Sequence, residues 1–136
     1  MEAFFLANMK QILPKDKFDI ETAENLKKYS FDEIKEYIPE LLVLWLQDFN
    51  WPVSKPVSDF LLPYVNEIEC EIIKIFSTDD GMWKYWLLRL LSCFPEKLHY
   101  KLVQEIMRIA EHPTNDEIDC EVQEEAINFL AELKIL

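Results

Sequence analysis

The 136-residue sequence predicts an all-α protein, and three observations carry that prediction. It has a single glycine, Gly81, so hairpin turns that demand positive φ have almost nothing to be built from. Seven prolines supply the punctuation, at positions that suit helix starts and ends. Between them run segments rich in Leu, Glu, Lys and Ile whose apolar residues recur at helical spacing.

Residues 2–12 read as a short helix offering Phe4, Phe5, Met9 and Ile12 to a core, closed by Pro14. Asp19 is placed to cap a helix to about Tyr29, with Ala23 and Leu26 inward and Lys27 and Lys28 outward. Ser30 with Glu33 matches the S-x-x-E capping box and opens "FDEIKEYIPELLVLWLQDF". Pro39 divides that segment into a first short helix near 31–37 and a second from Pro39 to Gln47, or kinks one helix. The run Ile38, Leu41, Leu42, Leu44, Trp45, Leu46 implies burial on several sides.

"DFNWPVSKPVSDFLLPY" combines three prolines with a helical stripe, Val53, Val57, Phe60 and Leu61. Pro52 at the first helical position and Pro63 at the end resolve the contradiction, because a proline early in a helix removes an amide that has no partner anyway. A longer helix is expected from about Pro63 through Phe76, facing Val65, Ile68, Ile72, Ile73 and Phe76 inward. Asp79 or Asp80 caps "MWKYWLLRLLSCF", and Pro95 starts "EKLHYKLVQEIMRIAEH". Thr114 with Glu117 is a second capping box, opening one helix to about Leu133 with Ile118, Val122, Ala126, Phe129, Leu130 and Leu133 inward.

The length suits one domain, with N-terminal helices in 1–30 and helix pairs in 31–63, 64–95 and 96–136. The pairs repeat: Asp48-x-x-Trp51 and Asp80-x-x-Trp83 are each followed by a proline twelve residues after the tryptophan, with a weaker copy at "DCEVQEEAINFLAEL". This pattern is similar to HEAT/armadillo-like α-solenoids. More narrowly, "LPKDKFDIETAENLKK", "LLVLWLQDFNWPVSKPVSDFLLPY" and "DDGMWKYWLL" resemble a small, mostly bacterial family known only as a numbered domain of unknown function, of the 5071 type. The resemblance spans about residues 11–133 and implies a short right-handed α-α superhelix of HEAT-like helix pairs, with no established activity.

Composition excludes several function classes. With one glycine there is no phosphate-cradling loop and no dinucleotide fingerprint. The net charge is -12, and residues 1–30 balance five acids with five lysines, so the excess lies beyond them. From Ile109 to Leu133 there are eight acids and no Lys or Arg, which repels nucleic acid and favours a basic partner. Cys70, Cys93 and Cys120 are widely spaced within apolar stripes and are expected to be buried free thiols, which with the absence of a signal-like or membrane-spanning stretch suggests the cytoplasm.

His99 and His112 have no ligand set of metal spacing nearby, and no Ser or Cys is placed as a nucleophile beside them, so neither metal, cofactor nor enzymatic activity is expected. The turn acids Asp48, Asp79 and Asp80 read as helix caps and turn formers. The expectation is therefore a protein-interaction module, monomeric or weakly dimeric, with an acidic immunity or antitoxin-like protein that neutralises a basic toxin as the sharper alternative and a HEAT-like enzyme as the less favoured one. Candidate binding residues are Trp51, Trp83, Tyr85 and Trp86, of which the last three share one helix and cannot all face inward. The cations Lys55, Lys84 and Arg89 and the acids Glu121, Glu124 and Glu125 complete the set.

Overall fold

A computed structural model describes residues 12–45, 48 and 50–133, giving backbone alone at 43–45. Every regular element among them is helical. Residues 2–11 of the expected first helix and the side chains of Leu44, Trp45 and Leu46 lie outside this description, and Ile12 lies in a bend. The described residues form two compact units divided between Leu61 and Leu62.

In the first unit, Asp19 caps α1 (Ile20–Glu24) by accepting from the Thr22 amide, and the chain continues as a 3₁₀ turn through Lys28. Ala23 and Leu26 are buried as their spacing predicts. The Ser30–Glu33 capping box forms at α2 (Phe31–Ile34), with both reciprocal bonds present. A 3₁₀ segment, Lys35–Tyr37, then separates α2 from α3 (Ile38–Trp45). Pro39 thus sits in the first turn of a new helix, where its missing amide costs no bond.

The proline-rich segment forms α4 (Ser54–Leu61), which packs on α1 and α3. The helix starts two residues later than Pro52 suggests. Asp48 folds the chain first: its carboxylate accepts from the Asn50 amide at 2.8 Å, and its carbonyl accepts from the Ser54 hydroxyl at 2.6 Å. Pro56 is consequently the proline within the first turn. Val53, Val57 and Leu61 are buried.

In the second unit, the expected helix from Pro63 to Phe76 is shorter. A 3₁₀ segment, Leu62–Tyr64, and a run of turns precede α5 (Glu69–Phe76). The cause is Asn66, whose side chain donates to the Lys97 carbonyl at 3.1 Å and accepts from the His99 amide at 2.7 Å. The same two bonds hold 97–99 as a loop, so the next helix begins at Tyr100 rather than Pro95. Ile75 takes a buried place that Ile73 was expected to fill.

Asp80 caps α6 (Gly81–Ser92), its Oδ1 accepting from the Trp83 amide at 3.1 Å. After α7 (Tyr100–Glu111), the single helix expected from Thr114 is two, α8 (Asn115–Asp119) and α9 (Val122–Glu132). They are separated at Glu121, which adopts the left-handed conformation at φ 64°. That break turns Ile118 outward, and Leu133 is exposed as well, while Val122, Ala126, Phe129 and Leu130 are buried. α9 packs on α6 and α7, and α7 packs on α5.

The lone glycine has a packing cause. A Cβ on Gly81 would lie 2.5 Å from the Asp116 carbonyl oxygen and 2.7 Å from Cys120 Sγ, so only glycine lets the start of α6 approach α8 this closely. Of the thiols, Cys70 and Cys93 are exposed and Cys120 is half-buried, against the expectation of burial. Cys70 falls on the solvent side of α5, and Cys93 follows the last turn of α6.

Two stability changes follow. Gly81→Ala should lower the unfolding free energy by about 1–3 kcal/mol in urea titration, the cost of forcing atoms into a filled space. Glu121→Gly should raise it by up to about 1 kcal/mol, since relief of roughly 1–2 kcal/mol of left-handed strain exceeds the chain-entropy cost of glycine.

Candidate functional site

Two features of the second unit stand out: a buried charge cluster and an open apolar groove. The cluster starts with Lys84, one turn into α6 and only 1% exposed along its side chain. Its Nζ lies 2.9 Å from Glu117 Oε2 and 2.8 Å from Asp116 Oδ2, the first a hydrogen bond and the second an ion pair without hydrogen-bond alignment. Glu117 is itself fully buried. Arg108, on α7, grips the same carboxylate with two parallel bonds of 2.7 and 2.8 Å, the fork geometry that suits a guanidinium.

Glu117 also completes the expected capping box, accepting from the Thr114 amide at 2.9 Å. One carboxylate therefore caps α8 and joins it to α6 and α7. Arg108 extends the connection to α5 by reaching the Phe76 carbonyl at 3.4 Å, and it also bonds Glu105.

Burial pushes the Glu117 carboxyl upward, but the bonds from Arg108, the Thr114 amide and Lys84 outweigh it and hold the group at about 2, against an ordinary 4.5. Asp116 is treated alike: burial raises it, and Lys84 with the Thr114 hydroxyl brings it below the usual carboxylate range. The hydrogen bonds of Glu117 raise Arg108 against the opposing effect of its own burial. The cluster thus ties α8 to α6 and α7 through one carboxylate held ionised below its ordinary range.

The groove lies between α7, α9 and the loop before α7, with a volume of about 560 Å³. α7 buries one row, Leu102, Ile106 and Ile109, in its own unit. A second row, Tyr100, Val103 and Met107, lines the groove opposite Phe129 of α9 and Leu133 at its end. Tyr100 is 72% exposed at its edge. The row is legible as an apolar arc on α7 wider than a single buried stripe, but it was missed because the spacing alone does not say which neighbour covers it.

The residues singled out from sequence are dispersed. Lys84, expected among surface cations, is the buried centre of the charge cluster. Lys55 pairs with Asp59 at 3.3 Å on exposed α4, and Arg89 reaches Glu125 at 3.8 Å. Trp83 is buried, while Tyr85 and Trp86 are half-buried and meet edge to face at 5.2 Å, so none of the three is fully exposed. Trp51 is half-buried in the turn made by Asp48. Glu121 and Glu124 are exposed. His112 caps the end of α7. No group of metal ligands is assembled among the described residues, and no helix among them is long and apolar enough to cross a membrane.

Removing Lys84 as Lys84→Met should cost about 3–5 kcal/mol in urea unfolding, because Asp116 and Glu117 lose a buried counter-charge. Removing exposed Lys55 as Lys55→Ala should cost less than about 1 kcal/mol. Because Glu117 is lower when folded than when unfolded, its contribution is complete above about 4.5 and is lost as pH falls toward about 2. Glu117→Gln should flatten that acid limb in a pH series of urea midpoints.

Among known proteins, residues 12–130 match the model of a family described as a domain of unknown function (DUF5071). No curated protein matches the chain.

Proposed function

The chain belongs to the DUF5071 family, and on that premise we propose that it is a non-catalytic protein-interaction module built on HEAT-like helix pairs. The observation that carries this reading is the apolar groove, because a protein whose buried charges are clamped together has left Tyr100 and Leu133 uncovered beside it. Repeated Asp-x-x-Trp segments with a proline twelve residues on support the helix-pair description, since stacked pairs present extended binding faces.

The sharper reading is an acidic immunity or antitoxin-like protein of the cytoplasm that neutralises a basic toxin. Glu111, Asp119, Glu121, Glu124 and Glu132 favour it, as exposed acids in a stretch with no Lys or Arg. Such a field speeds encounter with a cationic surface and weakens with salt.

The test is capture of partners from lysate of the source organism on the tagged full chain, washed at low salt and then at about 0.5 M, where exposed charges are largely screened. A basic protein should be retained at low salt and shed at high salt, with retention lost on charge reversal at Glu121, Glu124 and Glu125. Absence of any specific partner would overturn the interaction reading. A partner indifferent to salt would remove the immunity form alone.

A further inference from the structure

We infer that the groove between α7 and α9 receives an amphipathic helix of a basic protein partner, laid with its apolar face on Tyr100, Val103 and Met107 and its cations toward α9. This rests on the interaction reading and specifies where and what it binds.

The apolar half of the inference comes from the walls. Tyr100, Val103 and Met107 stand at i, i+3 and i+7, so they form one continuous row along α7. Phe129 on α9 and Leu133, the residue that caps its end, stand opposite. With Leu91, Phe94 and Leu98 these residues wall a volume of about 560 Å³, a hollow that suits the anchor side chains of a helix at helical spacing better than a flat contact does. Met107 adds a flexible, polarisable side chain of the kind that adapts to an incoming apolar group.

Charge decides the rest. A second recess, walled by Arg89, Glu125 and Glu132, adjoins the groove and shares Ser92, Phe129 and Glu132 with it. Arg89 is already matched by Glu125, which leaves Glu132 as the acid common to both hollows. Among the described residues lining the groove from this side, Glu132 is the one charged side chain. On the loop wall, Lys97 stands beside Glu96, close to neutrality. A helix with apolar residues on one face and Lys or Arg along one flank satisfies both walls, whereas an acidic helix would meet like charge at Glu132.

The probe is a synthetic leucine–lysine amphipathic helix titrated calorimetrically into the full chain, with a leucine–glutamate counterpart as comparison. Binding of the basic peptide should weaken at least about tenfold in Tyr100→Ala, the scale of a lost aromatic anchor, and similarly in Glu132→Lys. Tyr100 is largely exposed, so its truncation leaves the core intact; unchanged urea midpoints verify this. Glu24→Lys, the same charge change on α1 of the other unit, should alter affinity by less than about twofold.

Equal binding to the original chain and Tyr100→Ala would overturn the inference, as would equal loss in Glu24→Lys and Glu132→Lys, which would reduce the effect to overall acidity. A concentration-dependent dimer abolished by Tyr100→Ala would also overturn it, by assigning the groove to a second copy. If a salt-sensitive partner is captured from lysate and Tyr100→Ala still retains it, the groove assignment fails while the interaction reading stands.

Discussion

Lys84 carries a full charge with almost no access to water, and most of the second unit is arranged around that fact. Taking an ammonium out of water costs several kcal/mol even after relaxation, so the lysine is tolerable only where carboxylates replace its hydration. Glu117 and Asp116 do so, but Glu117 is fully buried too and needs more than one cation to remain ionised. Arg108 supplies the second, and its remaining donors reach Glu105 and the Phe76 carbonyl. Each charge makes the next one necessary, and the chain of necessity runs through α6, α8, α7 and α5.

Gly81 makes this possible. Lys84 meets Asp116 and Glu117 only because the start of α6 lies against the Asp116 carbonyl and Cys120, a separation that no side chain at position 81 would permit. The composition's rarest residue and its most buried charge therefore serve one contact. The left-handed Glu121 belongs to the same arrangement: it ends α8 where its acids have been delivered and starts α9 in a new direction, toward α6 and α7.

This clamp also redistributes what the surface can do. Of the eight acids between Ile109 and Leu133, Asp116 and Glu117 are consumed internally and Glu125 is shared with Arg89. The remaining acids, Glu111, Asp119, Glu121, Glu124 and Glu132, face solvent, and of these Glu132 lines the apolar groove. The carboxylates of the clamp are held below their ordinary range by the cations and donors around them.

Local features were readable in the sequence because their physics acts within a few residues. The caps of Asp19, Ser30 and Asp80, the Thr114–Glu117 box, the break before Pro39 and the buried positions of Leu26, Val57, Ile72 and Leu130 all depend on side chains reaching neighbouring amides or on helical period. Family and helical class were legible for the same reason. What the tertiary structure decided depends on partners remote in the chain. Asn66 bonds to residues 97 and 99 and thereby shortens α5 and delays α7; Lys84 reaches 33 residues ahead and changes from a surface cation into a buried one. The groove on α7 is of this kind: its apolar residues are plain in the sequence, but only the packing of neighbouring helices determines that Leu102, Ile106 and Ile109 are covered while Tyr100 is left open. A sequence specifies which side chains need burial or a counter-charge, and the folded chain decides which of those needs are met within it.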